Sequence, residues 1–376
     1  MSAKRILILG GYGITGTLIS RLLLQYTGID LIIAGRDLLK ADALAVKLNR
    51  EFDCRRVSGI SADASDYNKL IQAFKGCDFV LVASSTAKYA DTVVRAALTC
   101  DMDYLDINFS SSKLNTVKSY SDDIIDSGRC FITDGGFHPG MAAVLIRYAS
   151  GFFDKMESAI VSSLIKINWN NYKPARATSI ELLEEACNFD TRFFKDGCWY
   201  KPKYYEKDIM RKTNFGYPFG VQNTYAMFLG ELEAVPDMFP SLKETGFYAG
   251  GFNRFVDYFI LPGAVISIKT FPGSINLWAN LTEWGMVRFS KPPYKTILKL
   301  EAKGEKDNHP VQVEITLAHK DGYAFTAMPV AACIMQYLDS IANKSGLHFM
   351  AHIVEPGKMI EDLKMMGVEV SVKDLL

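Results

Sequence analysis

The stretch Arg5-Ile-Leu-Ile-Leu-Gly-Gly-Tyr-Gly-Ile-Thr-Gly16 constrains the fold more than any other part of the chain. An apolar run of strand length ends in glycines, and apolar residues at helical spacing (Ile14, Leu18, Ile19, Leu22, Leu23) follow at once. That order predicts a strand, a tight turn and a helix. Gly11, Gly13 and Gly16 stand at the G-x-G-x-x-G spacing. The first permits the turn, the second lets backbone approach a pyrophosphate, and the third lets the helix lie close to the strand. The helix N-terminus adds free N–H groups and a partial positive charge. A second apolar run, Asp30-Leu-Ile-Ile-Ala34, follows at the distance of a βαβ unit, so the whole predicts a dinucleotide site.

The end of the second strand reads Ala34-Gly35-Arg36-Asp37. Gly35 leaves space where a carboxylate would repel a ribose 2′-phosphate, and the Arg36 fork suits that phosphate. Lys40 adds charge one turn later. NADP(H) is therefore the preferred cofactor, while Asp37, able to accept from a 2′-hydroxyl, keeps NAD(H) open.

The first third alternates. Further strands are predicted at 55–60, 79–83, 103–107 and 130–133, with helices over 38–49, 67–75, 89–98 and 117–126. Strands alternating with helices predict an α/β fold with a Rossmann-type, doubly wound parallel sheet. Ligands of such sheets sit beyond the carboxyl ends of the strands. Those ends supply Asp63 and Ala64, Ser84 and Ser85, Asn108, and the run Gly135-Gly-Phe-His-Pro-Gly140; Asp106 reads as structural. After a helix over 141–150 the pattern changes. Segments 158–169, 259–271, 275–282, 294–303 and 311–319 have β character, and predict an inserted α+β domain on a mostly antiparallel sheet. Residues 187–230 are dense in aromatics, Trp199, Tyr200, Tyr204 and Tyr205 among them. Helices are expected again over 325–343 and 356–366.

Composition excludes several classes of function. Lys plus Arg (42) balance Asp plus Glu (42), without a basic block, so no nucleic-acid partner is expected. No apolar run approaches the roughly 20 residues of a membrane span. A strand starting at Arg5 leaves no room for a signal peptide. The 7 cysteines are scattered without C-x-x-C pairs, which fits reduced thiols and a cytoplasmic location. They do not cluster with the 5 histidines, and no metal site is expected.

Three stretches together resemble the saccharopine dehydrogenase family. They are Gly10–Gly16 with Gly35-Arg36; Gly136-Phe-His-Pro-Gly-Met141; and Thr326-Ala-Met-Pro-Val-Ala-Ala332 followed by Gly346-Leu347 and Glu355-Pro356. A looser likeness joins Ile180–Glu185 to Phe194–Trp199. The resemblance implies a Rossmann domain over 1–140, a substrate and dimerisation domain over 141–322, and C-terminal helices over 323–376 that pack back on the first domain. It implies a homodimer, and NAD(P)(H)-dependent oxidation of a secondary amine or reduction of an imine in a small amino-acid or polyamine-like substrate. By position it assigns Gly11, Tyr12, Gly13, Ile14, Thr15, Arg36, Asp63, Ala64, Ser84 and Ser85 to the cofactor, to which the turn and strand-end readings add Gly16 and Asp37. Phe137 and His138 would border the nicotinamide and the substrate. The family's tryptophan–serine segment is absent from 171–179, which points away from saccharopine itself. Arg176 and Arg254 are the candidates for a substrate carboxylate. His138, with a titration range suited to proton transfer, is the candidate catalytic residue, and Tyr89 a second. An enoyl or ketone reductase for apolar substrates, and a dinucleotide-binding sensor without turnover, are the alternative readings.

Overall fold

The short apolar runs of the first third become strands β1 (Arg5–Leu9), β2 (Asp30–Gly35), β3 (Val57–Ser61), β4 (Phe79–Val82), β5 (Asp103–Asp106) and β6 (Cys130–Thr133) in the computed structural model, which describes residues 4–172, 174, 176–203 and 206–374. Every residue of β4, β5 and β6 is buried, as in strands covered on both faces. Helices Ile14–Tyr26, Leu38–Glu51, Tyr67–Phe74 and Ala90–Thr99 alternate with the first five strands. The single helix expected over 117–126 is two, Ser111–Ser119 and Ser121–Asp126. The Ser110 hydroxyl caps the first by accepting from the Lys113 N–H, which starts it earlier than its weak apolar pattern suggests.

The chain divides into two units. Unit 1 is the chain up to Met141 together with Thr326–Leu363; unit 2 is Ala142–Phe325 together with the segment from Lys364 on. In unit 1 the strands lie in the order β3-β2-β1-β4-β5-β6, followed by a seventh strand, Gly346–Phe349, and all neighbours pair parallel. The order reverses between β1 and β4, the switch point where such sheets hold ligands. The later segment of unit 1 is tied in by buried polar groups. The Tyr337 hydroxyl donates to Asp103 at the start of β5 and accepts from Lys4 Nζ at 2.7 Å.

Unit 2 is built on β7 (Lys155–Lys166), β8 (Phe193–Lys195), β9 (Cys198–Tyr200), β10 (Met210–Asn214), β11 (Val221–Ala226), β12 (Glu244–Gly250), β13 (Lys295–Lys306) and β14 (His309–His319). After the strand of unit 1 now labelled β15 (Gly346–Phe349), the chain adds β16 (Glu369–Asp374) at the edge beyond β14. The order is β10-β11-β12-β7-β13-β14-β16, with β8 and β9 attached beside β12. All pairs are antiparallel except β7 with β12. The sheet is thus mixed and mostly antiparallel.

Two expected strands are helices. Residues 259–271 and 275–282 fall in Leu261–Thr270, entered through one wide turn at Val256–Ile260, and in Ile275–Arg288. The outer face of this pair is apolar as well as the inner one: Phe259, Ile266, Phe271, Leu277 and Trp284 are exposed while Ile260, Ala264, Ile268 and Ala279 are buried. Without polar residues on one face, the helical period does not show in the sequence. Residues 323–376 are not helices alone, because β15 and β16 lie among them. Tyr204 and Tyr205 lie outside the described residues, as do Lys173 and Ala175 beside Arg176.

Candidate functional site

At the end of β1 the chain turns through Gly10, at φ +84°, a conformation that favours glycine. The Gly11 N–H donates to the Ile8 oxygen at 3.1 Å and the Gly13 N–H to the Gly10 oxygen at 2.9 Å. A Cβ on Gly16 would stand 2.5 Å from that same Gly10 oxygen and 2.8 Å from Gly11 Cα. Gly16 therefore lets the helix Ile14–Tyr26 seat against the turn, as its place in the motif predicts. Gly13 caps this helix without a side chain, and no acid stands in the first turn. Gly13 and Ile14 are exposed. The first N–H groups of the helix are thus open to an anion, with the helix dipole in its favour. These residues fit a dinucleotide pyrophosphate.

The end of β2 differs in detail from its sequence reading. The space beside Gly35 is filled by Tyr12: a Cβ there would meet the Tyr12 ring at 2.4 Å. The Tyr12 hydroxyl accepts from the Asp37 N–H at 3.2 Å, so the ring forms a fixed wall across the strand end. Asp37 caps the next helix, accepting from the Lys40 N–H at 3.2 Å, and that bond holds its carboxyl below the usual range. Lys40 pairs with Asp37 at 3.4 Å. Arg36 is exposed beside them. Asp63, after β3, accepts from both the N–H and the hydroxyl of Ser65; these bonds hold its carboxyl low, with a smaller contribution from the nearby charge of Arg36. The structure thus brings Tyr12, Arg36, Asp37 and Asp63 to one end of the sheet, with buried Ala64 next in chain.

Across the switch point, Ser84 lies directly against the turn. A Cβ on Gly10 would come within 2.5 Å of Ser84 Cβ. Asn108 Nδ2 holds the Ser84 carbonyl at 2.9 Å, and the Ser84 and Thr86 hydroxyls are 3.1 Å apart. Ser85 follows in the same turn.

Of the next cluster the sequence singles out only Asp106, as structural. Lys113 is 1% exposed, and its Nζ donates to Asp106 Oδ1 at 2.8 Å, Thr133 Oγ1 at 2.8 Å and Asp134 Oδ1 at 2.5 Å. Asp106 Oδ2 also accepts from Thr133 Oγ1 at 2.8 Å and from the Tyr104 hydroxyl at 3.1 Å. Burial works against the Lys113 charge, but the two carboxylates outweigh it and raise its pKa. Burial also raises Asp134. The cluster fastens the ends of β5 and β6, and Asp134 opens the run that carries Phe137 and His138. For Lys113 the only advance signal is a lysine in the first turn of a weakly patterned helix, which reads equally well as solvated surface.

Phe137 and His138 lie side by side, with ring centroids 5.6 Å apart, and Phe109 is 6.5 Å from His138. Burial pushes the His138 imidazole down to about 4. It is neutral at pH 7, outside the titration range that singled it out in the sequence. Tyr89 closes a short turn, Ala87–Tyr89, beside the helix Ala90–Thr99.

The two substrate arginines are in different settings within unit 2. Arg176 bridges two helices, donating to Asn280 Oδ1 at 2.6 Å and lying 3.6 Å from a Glu283 oxygen. Arg254 borders a cavity of about 270 Å³, beyond the carboxyl ends of the parallel pair β7 and β12. Lys166 ends β7, Phe252 to Arg254 follow β12, Phe219 comes from the β10–β11 turn, and Lys291 to Tyr294 lead into β13; all border the same cavity. Lys166 Nζ donates to the Phe252 carbonyl at 3.4 Å, and burial lowers its pKa. Among the described residues no group of three His, Cys, Asp or Glu could hold a metal ion, and no helix is long and apolar enough to cross a membrane.

Residues 6–131 match the family described as the saccharopine dehydrogenase NADP binding domain. The fold is similar to that of the apo histidine-tagged saccharopine dehydrogenase (L-Glu forming) from Saccharomyces cerevisiae, at TM-score 0.70 and 15% identity over 100% of both chains. A DAP dehydrogenase in complex with DAP, from C. glutamicum, matches at TM-score 0.45 and 10% identity over 97% of this chain and 99% of that one.

Proposed function

We propose that the chain transfers hydride between NADP(H) and an imine or secondary amine of a small amino-acid or polyamine-like substrate. It is an NAD(P)-dependent oxidoreductase, a class supported by the match over residues 6–131 and by the full-length fold. The observation that carries the reading is the turn at Gly10–Gly16. Its glycines leave room that a Cβ would fill, and it presents an uncapped helix N-terminus at the switch point of a parallel sheet.

In this reading Gly11 to Gly16 hold the pyrophosphate, Arg36 grips the 2′-phosphate from beside the Tyr12 wall, Asp63 and Ala64 border the adenine, and Ser84 and Ser85 border the nicotinamide side. NADPH bound there supplies a hydride, and NADP accepts one. A neutral His138 suits reduction of an iminium, whose nitrogen already carries its proton, so that the protein need only position the acceptor carbon. Phe137 and His138 take that positioning role. The functional chain is a homodimer, a state that sedimentation equilibrium reads directly.

The test is NADPH consumption, followed by absorbance, against a panel of α-keto acid and amine mixtures. Turnover with at least one mixture, dependent on both components, supports the reading. Tight NADPH binding without consumption over the whole panel defeats it in favour of a sensor. Consumption only with enones or simple ketones defeats it in favour of a reductase for apolar substrates.

A further inference from the structure

The cavity of unit 2 has an unusual lining. Lys166, Arg254 and Lys291 border it, and no aspartate or glutamate does. Among the described residues none of these cations has a carboxylate partner at salt-bridge distance. The charge of Asp257 acts on Lys166, but that carboxylate is turned to the backbone: its Oδ1 accepts from the Phe252 N–H at 3.0 Å, and its carboxyl lies where a Cβ on Gly251 would stand. The opposite character of the lining is aromatic. Trp169 and Phe252 stand with ring centroids 5.8 Å apart, and Phe219 and Phe289 also border the cavity, with Gln222, Asn253 and Ser290 beside the aromatics and the cations in the lining. The volume of about 270 Å³ lies just below the roughly 300–1,000 Å³ of drug-sized sites, so it suits a ligand of one ring or a short chain.

We propose that this cavity is a binding site for a small monocarboxylate with an apolar, preferably aromatic, body. The carboxylate meets the Arg254 fork with Lys166 and Lys291 beside it, and the body lies between Trp169, Phe219, Phe252 and Phe289. A phosphate makes no use of these four aromatic side chains, which border the site. The site belongs to unit 2 alone, and the proposal does not depend on the hydride chemistry proposed above.

The experiment uses the full chain without cofactor, by calorimetry at pH 7 and low salt. The probes are 3-phenylpropanoate, its neutral amide 3-phenylpropanamide, and inorganic phosphate. The expected result is that the acid binds at least about tenfold more tightly than the amide, as a charge-assisted pair implies. Arg254→Gln and Lys291→Gln should each weaken the acid and leave the amide unchanged. Both positions are exposed, so folding is not at stake, and unchanged thermal midpoints verify this. Equal binding of acid and amide, no binding of the acid, binding of phosphate in preference to the acid, or acid binding that is indifferent to both substitutions overturns the proposal.

Discussion

Replacing Lys113 by methionine removes the cation but keeps most of its volume. Asp106 and Asp134 then face each other in a site where both are nearly inaccessible, with relative side-chain exposures of 0% and 4%. Three donated hydrogen bonds disappear together. Removing one partner from a buried ionic cluster costs about 3–5 kcal/mol, because the remaining charge is left desolvated and unpaired. At about 2–4 °C per kcal/mol for domains of this size, the midpoint of unit 1 should fall by roughly 10 °C. The pH dependence carries the distinguishing sign. Lys113 has a raised pKa in the folded chain, so its contribution is fully present below its ordinary value and is lost as pH rises through the raised one. In Lys113→Met one carboxylate takes up a proton as pH falls, so the deficit against wild type shrinks between pH 7 and pH 4. Adding Asp106→Asn and Asp134→Asn should restore about half the loss by removing the orphaned charge. Differential scanning calorimetry across pH reads all of this. A methionine variant within about 1 kcal/mol of wild type at pH 7 refutes the reasoning, since that is the scale of an exposed pair. So does a triple variant no more stable than the single one.

Two further outcomes follow from the geometry of unit 1. Gly16→Val should lose dinucleotide binding and about 1–3 kcal/mol of stability, because its side chain meets the backbone of Gly10 and Gly11 rather than a movable side chain; a variant that binds NADPH normally contradicts the cradle. His138, lowered to about 4, should show flat imidazole proton shifts from pH 8 to pH 5.5. Because the unfolded chain protonates first, stability should fall by up to about 3 kcal/mol as pH drops from 6.5 to 4, and His138→Gln should flatten that slope.

Much of unit 1 was legible because each signal there is local. The glycine spacing and the buried strands act within a few residues of where they are read. Ala34-Gly35-Arg36 was legible as a strand end, but not the occupant of the space at Gly35: Tyr12 reaches it across the sheet, a contact that no short window contains. Lys113 stayed hidden for the same reason, since its partners lie at Asp106, Thr133 and Asp134. In unit 2 the long strands β7, β13 and β14 were legible from their length and β-branched content. β12 was not, because Gly246 and Gly250 break its pattern. Gly246 is needed where Phe193 of β8 lies over the strand, 2.9 Å from where a Cβ would stand. The two helices after Phe255 misled because their exposed faces are as apolar as their buried ones.

The central claim is that the Gly10–Gly16 turn and Arg36 together form an NADP(H) site, and paired titrations of NADPH and NADH into wild type and Arg36→Ala test it most directly. Wild type should prefer NADPH. The alanine variant should lose about tenfold to a hundredfold for NADPH, the size of a charge-assisted phosphate contact, with little change for NADH. Equal losses for both cofactors, or none for either, contradict the account.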